Sequence, residues 1–288
     1  MASTVRGMLT HRPASAAGTY YPSCSVELAR SVDTLLASVA PRKSRRMPKA
    51  LIVPHAGYAY SGPVAAHAYA TLVPHGRRIR RAVIVGPAHR AYLDGLASAD
   101  ASVFATPLGD VRVDVEALSR AIGVVPDARV HAREHSLEVQ LPFLQRIAPS
   151  AKIAPIAVGR AAPEFVARVL ERLWGGDETV VIVSSDLSHH LPYRTGRATD
   201  EATAARISRL DATLGPAEAC GCVGINGLLR VARARGMRAD LVDLRNSGDT
   251  AGTRDSVVGY AAVALYEPAP PEGHRTSPAD AVSMNAPY

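Results

Sequence analysis

Short β-branched apolar runs alternate with amphipathic segments along most of the chain. Ala50–Val53, Ala82–Val85, Lys152–Val158 and Thr179–Val183 are apolar at every position or nearly so, the pattern of strands buried on both faces. Leu241–Leu244 and Val257–Tyr266 predict two further strands. Between and around them, apolar residues recur at helical spacing in Val26–Ala40, Pro63–Leu72, Val115–Ile122, Leu137–Ile147, Pro163–Leu173, Asp200–Leu210 and Gly224–Ala234. Such alternation predicts one α/β domain with a mixed, largely parallel central sheet flanked by helices. Ala91–Val113 is less regular and predicts an added hairpin or lobe. The domain is expected to span residues 1–267. The Pro/Ala/Ser-rich segment 268–288 is expected to be a disordered tail.

Composition narrows the class. With 47% hydrophobic and 20% charged residues over 288 positions, the chain is globular in character. No apolar run reaches the roughly 20 residues of a membrane span, and no continuous apolar stretch of a secretory signal stands near the start. Three cysteines, Cys24, Cys220 and Cys222, cannot build a disulfide framework, so a reducing cytoplasm is the expected location. The charge of +7 invites a nucleic-acid reading. That reading is set aside. The cations are dispersed apart from Arg42–Arg46 and Arg77–Arg81, each read as a solvated loop leading into a strand, and aromatic residues are only 5%.

Candidate chemistry follows the strands. The first ends in Pro54-His55-Ala-Gly57-Tyr58, the second in Gly86-Pro87-Ala-His89, and the fourth in Ser184-Ser185-Asp186-Leu-Ser188-His189-His190. In open α/β sheets, ligands bind beyond the carboxyl ends of the strands. His55, His89 and the Asp186/His189 pair are therefore expected at one sheet edge, on tight turns that expose them. Imidazoles with a carboxylate are ligands for iron, zinc or copper. Two more elements bear on this edge. In His135-Ser136-Leu137-Glu138, His135 and Glu138 fall three apart at a helix start, as pocket residues or as a cap with a salt bridge. Cys220-Gly221-Cys222 stands at another helix start, where a thiol ionises more readily; the alternative is two small buried hydrophobes. A nucleophile elbow, a phosphate loop and a His-Glu-x-x-His zinc motif are all missing from the sequence. Ser184, Asp186 and His189 are too close in sequence to converge as a hydrolase triad.

The ordered set of motifs resembles the Memo-like family, whose microbial members are called the B component of AmmeMemoRadiSam systems. It comprises Arg12-Pro13, Ala17-Gly18-Thr-Tyr20-Tyr21-Pro22, the His55 and His89 segments with Tyr60-Ser61-Gly62, and Glu134-His135-Ser136-Leu137-Glu138 with Leu141-Pro142. Ser184 to His189, Cys220-Gly221 and Gly259-Tyr260-Ala261-Ala262 complete it, over about residues 6–266. The resemblance implies a fold similar to class III extradiol dioxygenases and a site for iron(II) or copper(I) on His55, His89 and Cys220. Asp186 and His189 would be the acid/base groups beside the metal. Tyr58, His135, Glu138 and Cys222 are further pocket candidates. Val223-Gly224-Ile225 stands where animal members carry His-Pro-Ile, and Cys222 is an extra thiol, which leaves the sulfur ligand open between Cys220 and Cys222. Expected partners are a radical-SAM protein and an AMMECR-type protein, neither of whose motifs lies in this chain, with a small-molecule or peptide ligand in the pocket. The implied activity is redox or oxygen-linked chemistry. A non-catalytic binding module and a copper- or iron-sequestering protein are the alternatives.

Overall fold

In the computed structural model, which describes residues 10–40 and 46–269, the chain begins with a two-residue strand β1 (His11–Arg12) and helix α1 (Ser25–Ala37). Then come β2 (Ala50–Val53), α2 (Tyr58–Ala70) and β3 (Arg81–Pro87). Three short strands follow, β4 (Leu96–Ser98), β5 (Val103–Thr106) and β6 (Gly109–Arg112), before α3 (Val115–Ser119), β7 (Val124–Pro126) and α4 (Ala128–Ala132). The middle of the chain supplies α5 (Leu141–Ile147), β8 (Lys152–Val158), α6 (Pro163–Leu173) and β9 (Thr179–Ser184). It ends with β10 (His189–Leu191), α7 (Tyr193–Ser208), α8 (Cys222–Ala234), β11 (Arg238–Asn246) and β12 (Val257–Tyr266).

The principal sheet is mixed. Its centre runs β2-β9-β3-β8, all parallel. β4 and β12 join antiparallel on either flank, β11 pairs with the other side of β12, and β10 pairs with the beginning of β12. β1, β5 and β6 form a separate small sheet, with β5 and β6 the hairpin expected between Ala91 and Val113.

The alternation of side chains explains why the central strands are apolar throughout. Leu51 and Val53 of β2 pack with α1, α2 and α5, whereas Ala50 and Ile52 pack with α6 and α8. Both faces are thus covered, and the described residues form a single α/β domain as expected. Several helices differ from expectation at their starts. α2 begins at Tyr58 rather than Pro63, because Tyr20 O accepts the Tyr58 amide at 2.7 Å and Pro63 then removes only one interior donor. The segment 137–147 is split into a 3₁₀ turn over Glu138–Gln140 and the shorter α5. The tail beyond residue 269 and most of the Arg42–Arg46 cluster lie outside the described residues.

No helix among the described residues is long and apolar enough to cross a membrane.

Candidate metal centre

Because β2, β9 and β3 are parallel neighbours, their carboxyl ends open on one edge, with Asp186 from β9 between His55 and His89. Cys220 arrives from the opposite direction, on the turn that starts α8. That turn presses so closely on β9 that only glycine fits at position 221: a Cβ there would stand 2.7 Å from Ser185 Cβ and 2.8 Å from Ser184 O. The Gly221 amide donates to Ser185 Oγ (2.9 Å), which fixes the turn against the strand. One ligand atom each of His55, His89 and Cys220 then lies within 4.8 Å of the others. Cys220 Sγ is 3.3 Å from His55 Nε2.

The ring of His55 is held in one tautomer. Ser184 Oγ must donate its single proton to the carbonyl of Ser136 (2.6 Å), and it accepts from Gln140 Nε2 (2.9 Å). It can only accept from His55 Nδ1, 2.9 Å away, so Nδ1 carries the proton and Nε2 presents a lone pair toward the thiol. The expectation of exposed histidines fails here. His55 is 2% exposed, sealed by β9 and by the Asp186 carboxylate, which accepts the His55 amide at 2.7 Å. Burial, then the neighbouring His89, lowers its pKa to about 3, so the ring is neutral at physiological pH, the form that binds metals.

His89 is less buried, its side chain 30% exposed. Its orientation comes from Glu134, whose Oε2 accepts the His89 amide (2.5 Å) and whose Oε1 lies 3.2 Å from Nδ1. Burial would raise the Glu134 pKa, but hydrogen bonds from the His89 ring and from the Ser136 and His89 amides hold it at about 2. It is an anion at any physiological pH. His135 stacks on Tyr20 (4.2 Å between centroids) and on His89 (5.1 Å), edge-on to His55 at 5.5 Å. Burial and His55 lower its pKa to about 3.

Asp186 is buried beside these rings, Oδ2 4.0 Å from His55 Nε2, and burial lifts its carboxyl pKa to about 6. The Cys220 thiol is pushed up to about 12 by burial and by Asp186. His189, exposed on β10, is near enough for its charge to bear on both Asp186 and His55. A cavity of about 50 Å³ lies under the thiol, lined by Val85, Gly86, Ser184 and the first turn of α8.

Three pocket candidates are elsewhere. Tyr58 donates its hydroxyl to Val139 O (2.7 Å) and packs on Tyr21 and Phe143 in the core. Glu138 turns away from His135, because the buried Arg12 guanidinium forms an ion pair with it, and Ser15, the Ala16 amide and Tyr21 also donate to it. Ser136 does not cap a helix; its hydroxyl donates to Pro87 O (2.9 Å). Cys222 is buried in the apolar cluster behind the sheet, where burial raises its thiol pKa. Conversely, the sequence alone does not mark Glu134, Ser184 and Gln140 as site residues. Glu134 and Ser184 stand within recognised motifs, and the proximity of Glu134 to His135 is a further signal; Gln140 leaves none, because its role depends on segments adjacent only in space.

Residues 12–264 match the family described as Memo-like protein. The chain belongs to the Memo-like family. It is 37% identical to a MEMO1 family protein of Aeropyrum pernix over 276 residues, 86% of this chain and 96% of that one. A MEMO1 family protein of Archaeoglobus fulgidus is also 37% identical, over 267 residues, with the same two coverages. One from Metallosphaera sedula is 32% identical over 280 residues, 88% of this chain and 98% of its own. The Memo-like match therefore includes every residue of the cluster.

Proposed function

We propose that this Memo-like protein holds one iron(II) or copper(I) ion on His55, His89 and Cys220 and carries out redox or oxygen-linked chemistry on a small substrate. The observation that carries the reading is the convergence of two imidazoles and a thiol, with the His55 lone pair aimed at the Cys220 sulfur 3.3 Å away. That separation suits the group: nitrogen and sulfur ligands about 2.0 and 2.3 Å from one tetrahedral ion stand roughly 3.5 Å apart. Two imidazoles and a thiolate favour soft or borderline ions over magnesium or calcium.

A bound ion of this kind supplies Lewis acidity and electron transfer. The protein's residues supply the rest. Ser184 and Glu134 hold the two imidazoles by their distal nitrogens, the arrangement that orients metal-binding histidines elsewhere. Asp186, with a carboxyl pKa near 6, accepts or returns a proton beside the donors, and the exposed His189, whose charge bears on it, is the second acid/base group. The likeness to class III extradiol dioxygenases, a cytoplasmic location and partnership with radical-SAM and AMMECR-type proteins belong to the same proposal, on the strength of the sequence resemblance alone.

Elemental mass spectrometry on anaerobically purified protein tests it, beside His55→Ala and Cys220→Ser. The expected result is near-stoichiometric iron or copper, lost in both variants. Protein that stays metal-free after anaerobic loading with ferrous iron and reduced copper would overturn the reading in favour of a binding module. Tyr20 favours that second reading: it stacks on His135 and accepts a hydrogen bond from Arg90 (3.1 Å), giving an aromatic and cationic surface beside the cluster.

A further inference from the structure

Glu134 has a bonding capacity that the orientation of His89 does not exhaust. Its Oε2 takes the His89 amide and its Oε1 takes the Ser136 amide at 2.9 Å, so the backbone fixes the carboxylate in place. Oε1 also faces two imidazoles: His89 Nδ1, its hydrogen-bond partner, is 3.2 Å away and His135 Nδ1 is 3.5 Å away. Ligand atoms bound at about 2.0–2.2 Å to one tetrahedral ion stand ~3.4 Å apart. One ligand atom each of His89, Glu134 and His135 lies within 4.8 Å of the others. An independent observation points to the same place. His135 is only 9% exposed, and its Nδ1 is buried with no hydrogen-bond partner. A buried imidazole nitrogen left unpaired beside a carboxylate is costly unless something else satisfies it.

We propose that His89, Glu134 and His135 form a second cation position, alternative to the thiolate position because His89 is common to both. Two imidazoles and one carboxylate make a harder donor set than two imidazoles and a thiolate, and they suit a divalent ion such as zinc or cobalt(II) with coordination positions left open. The ion takes His89 Nδ1 as the proton there moves to Nε2, so no net proton is released, and a ring bound through Nδ1 has no lone pair left for the thiolate position. His89, the most exposed of the three imidazoles, is the member that serves either position. The pocket thereby offers two donor sets: His55, His89 and Cys220 for the iron or copper of the proposed function, and His89, Glu134 and His135 for a divalent ion such as zinc or cobalt(II).

Cobalt(II) and copper(I) titrations of the full chain separate the positions, because cobalt reports its ligands in its absorption spectrum and only a thiolate gives a sulfur-to-cobalt charge-transfer band. Cys220→Ser is expected to keep cobalt affinity within about threefold of wild type, with ligand-field bands and no charge-transfer band, while copper(I) binding is lost. His135→Ala is expected to lose about tenfold or more in cobalt affinity and to keep copper(I). Glu134→Gln, nearly isosteric, repeats the cobalt test should His135→Ala fold poorly, as judged by circular dichroism. Loss of cobalt binding in Cys220→Ser, or unchanged cobalt affinity in folded His135→Ala and Glu134→Gln, would overturn the second position. Failure of copper(I) to bind wild type would count against the thiolate position only.

Discussion

Ser184 shows how one hydroxyl governs an imidazole. Its proton is committed to Ser136 O, so it can only accept from His55, and the lone pair of His55 is left facing Cys220. Ser184→Ala removes that constraint and leaves His55 Nδ1 and Gln140 Nε2 each short of an acceptor in a buried site. The expected outcome is a loss of about 1–3 kcal/mol in stability by denaturant unfolding and roughly 10–100-fold in metal affinity by chelator competition. A variant that binds metal as tightly as wild type would show that His55 needs no such support. At this scale the sequence was legible where chemistry follows a strand end. His55, His89 and Asp186 are found together because parallel strands stop at one edge, a rule that needs no contact information. Glu138 was misread because its partner, Arg12, comes from the far end of the chain, and local spacing cannot anticipate a buried cation from elsewhere.

Among the elements, the turn before α8 is the most constrained. Gly221→Ala would drive a Cβ into Ser184 O and Ser185, and neither the strand nor the helix behind it has room to yield. A cost of about 1–3 kcal/mol is expected from thermal unfolding, together with weaker copper(I) binding as Cys220 is displaced. Retention of wild-type melting and affinity would show that the turn relaxes. The long strands were readable because Leu51 and Ala50 face different helical layers and both must be apolar. β4, β7 and β10, three residues each, carry no such signature: they take their conformation from the neighbours they pair with. α7 starts at Tyr193, well before the predicted Asp200, since its first turns are polar and exposed and show no apolar stripe.

For the molecule as a whole, Asp200 offers a test by pH. It projects from α7 to accept the Ser188 amide (3.0 Å), and a Cβ on Gly259 of β12 would collide with its carboxylate, so glycine is required there. Burial raises its carboxyl pKa from 3.8 to about 6. The folded state therefore binds this proton more tightly than the unfolded chain, and stability from this group falls as pH rises from about 4 to about 6. Asp200→Asn does not titrate. Relative to wild type it is expected to gain roughly 2 kcal/mol between pH 4 and pH 7, read from unfolding at each pH. A difference between the two proteins that is flat across that range would refute the linkage.

The position of β12 also has a consequence for how the protein is made. This last strand, ending at Tyr266, lies between β11 and β2, and β2 leads directly to His55. During translation the ribosome releases His55 and His89 long before Cys220, and the sheet that seals them is finished last. At about 5–20 residues per second the wait from His89 to Tyr266 lasts on the order of 10–35 s. For most of that interval the nascent chain offers His55 and His89 without Cys220, and throughout it without the finished sheet. An ion at the proposed position would therefore find its complete donor set only in the finished protein.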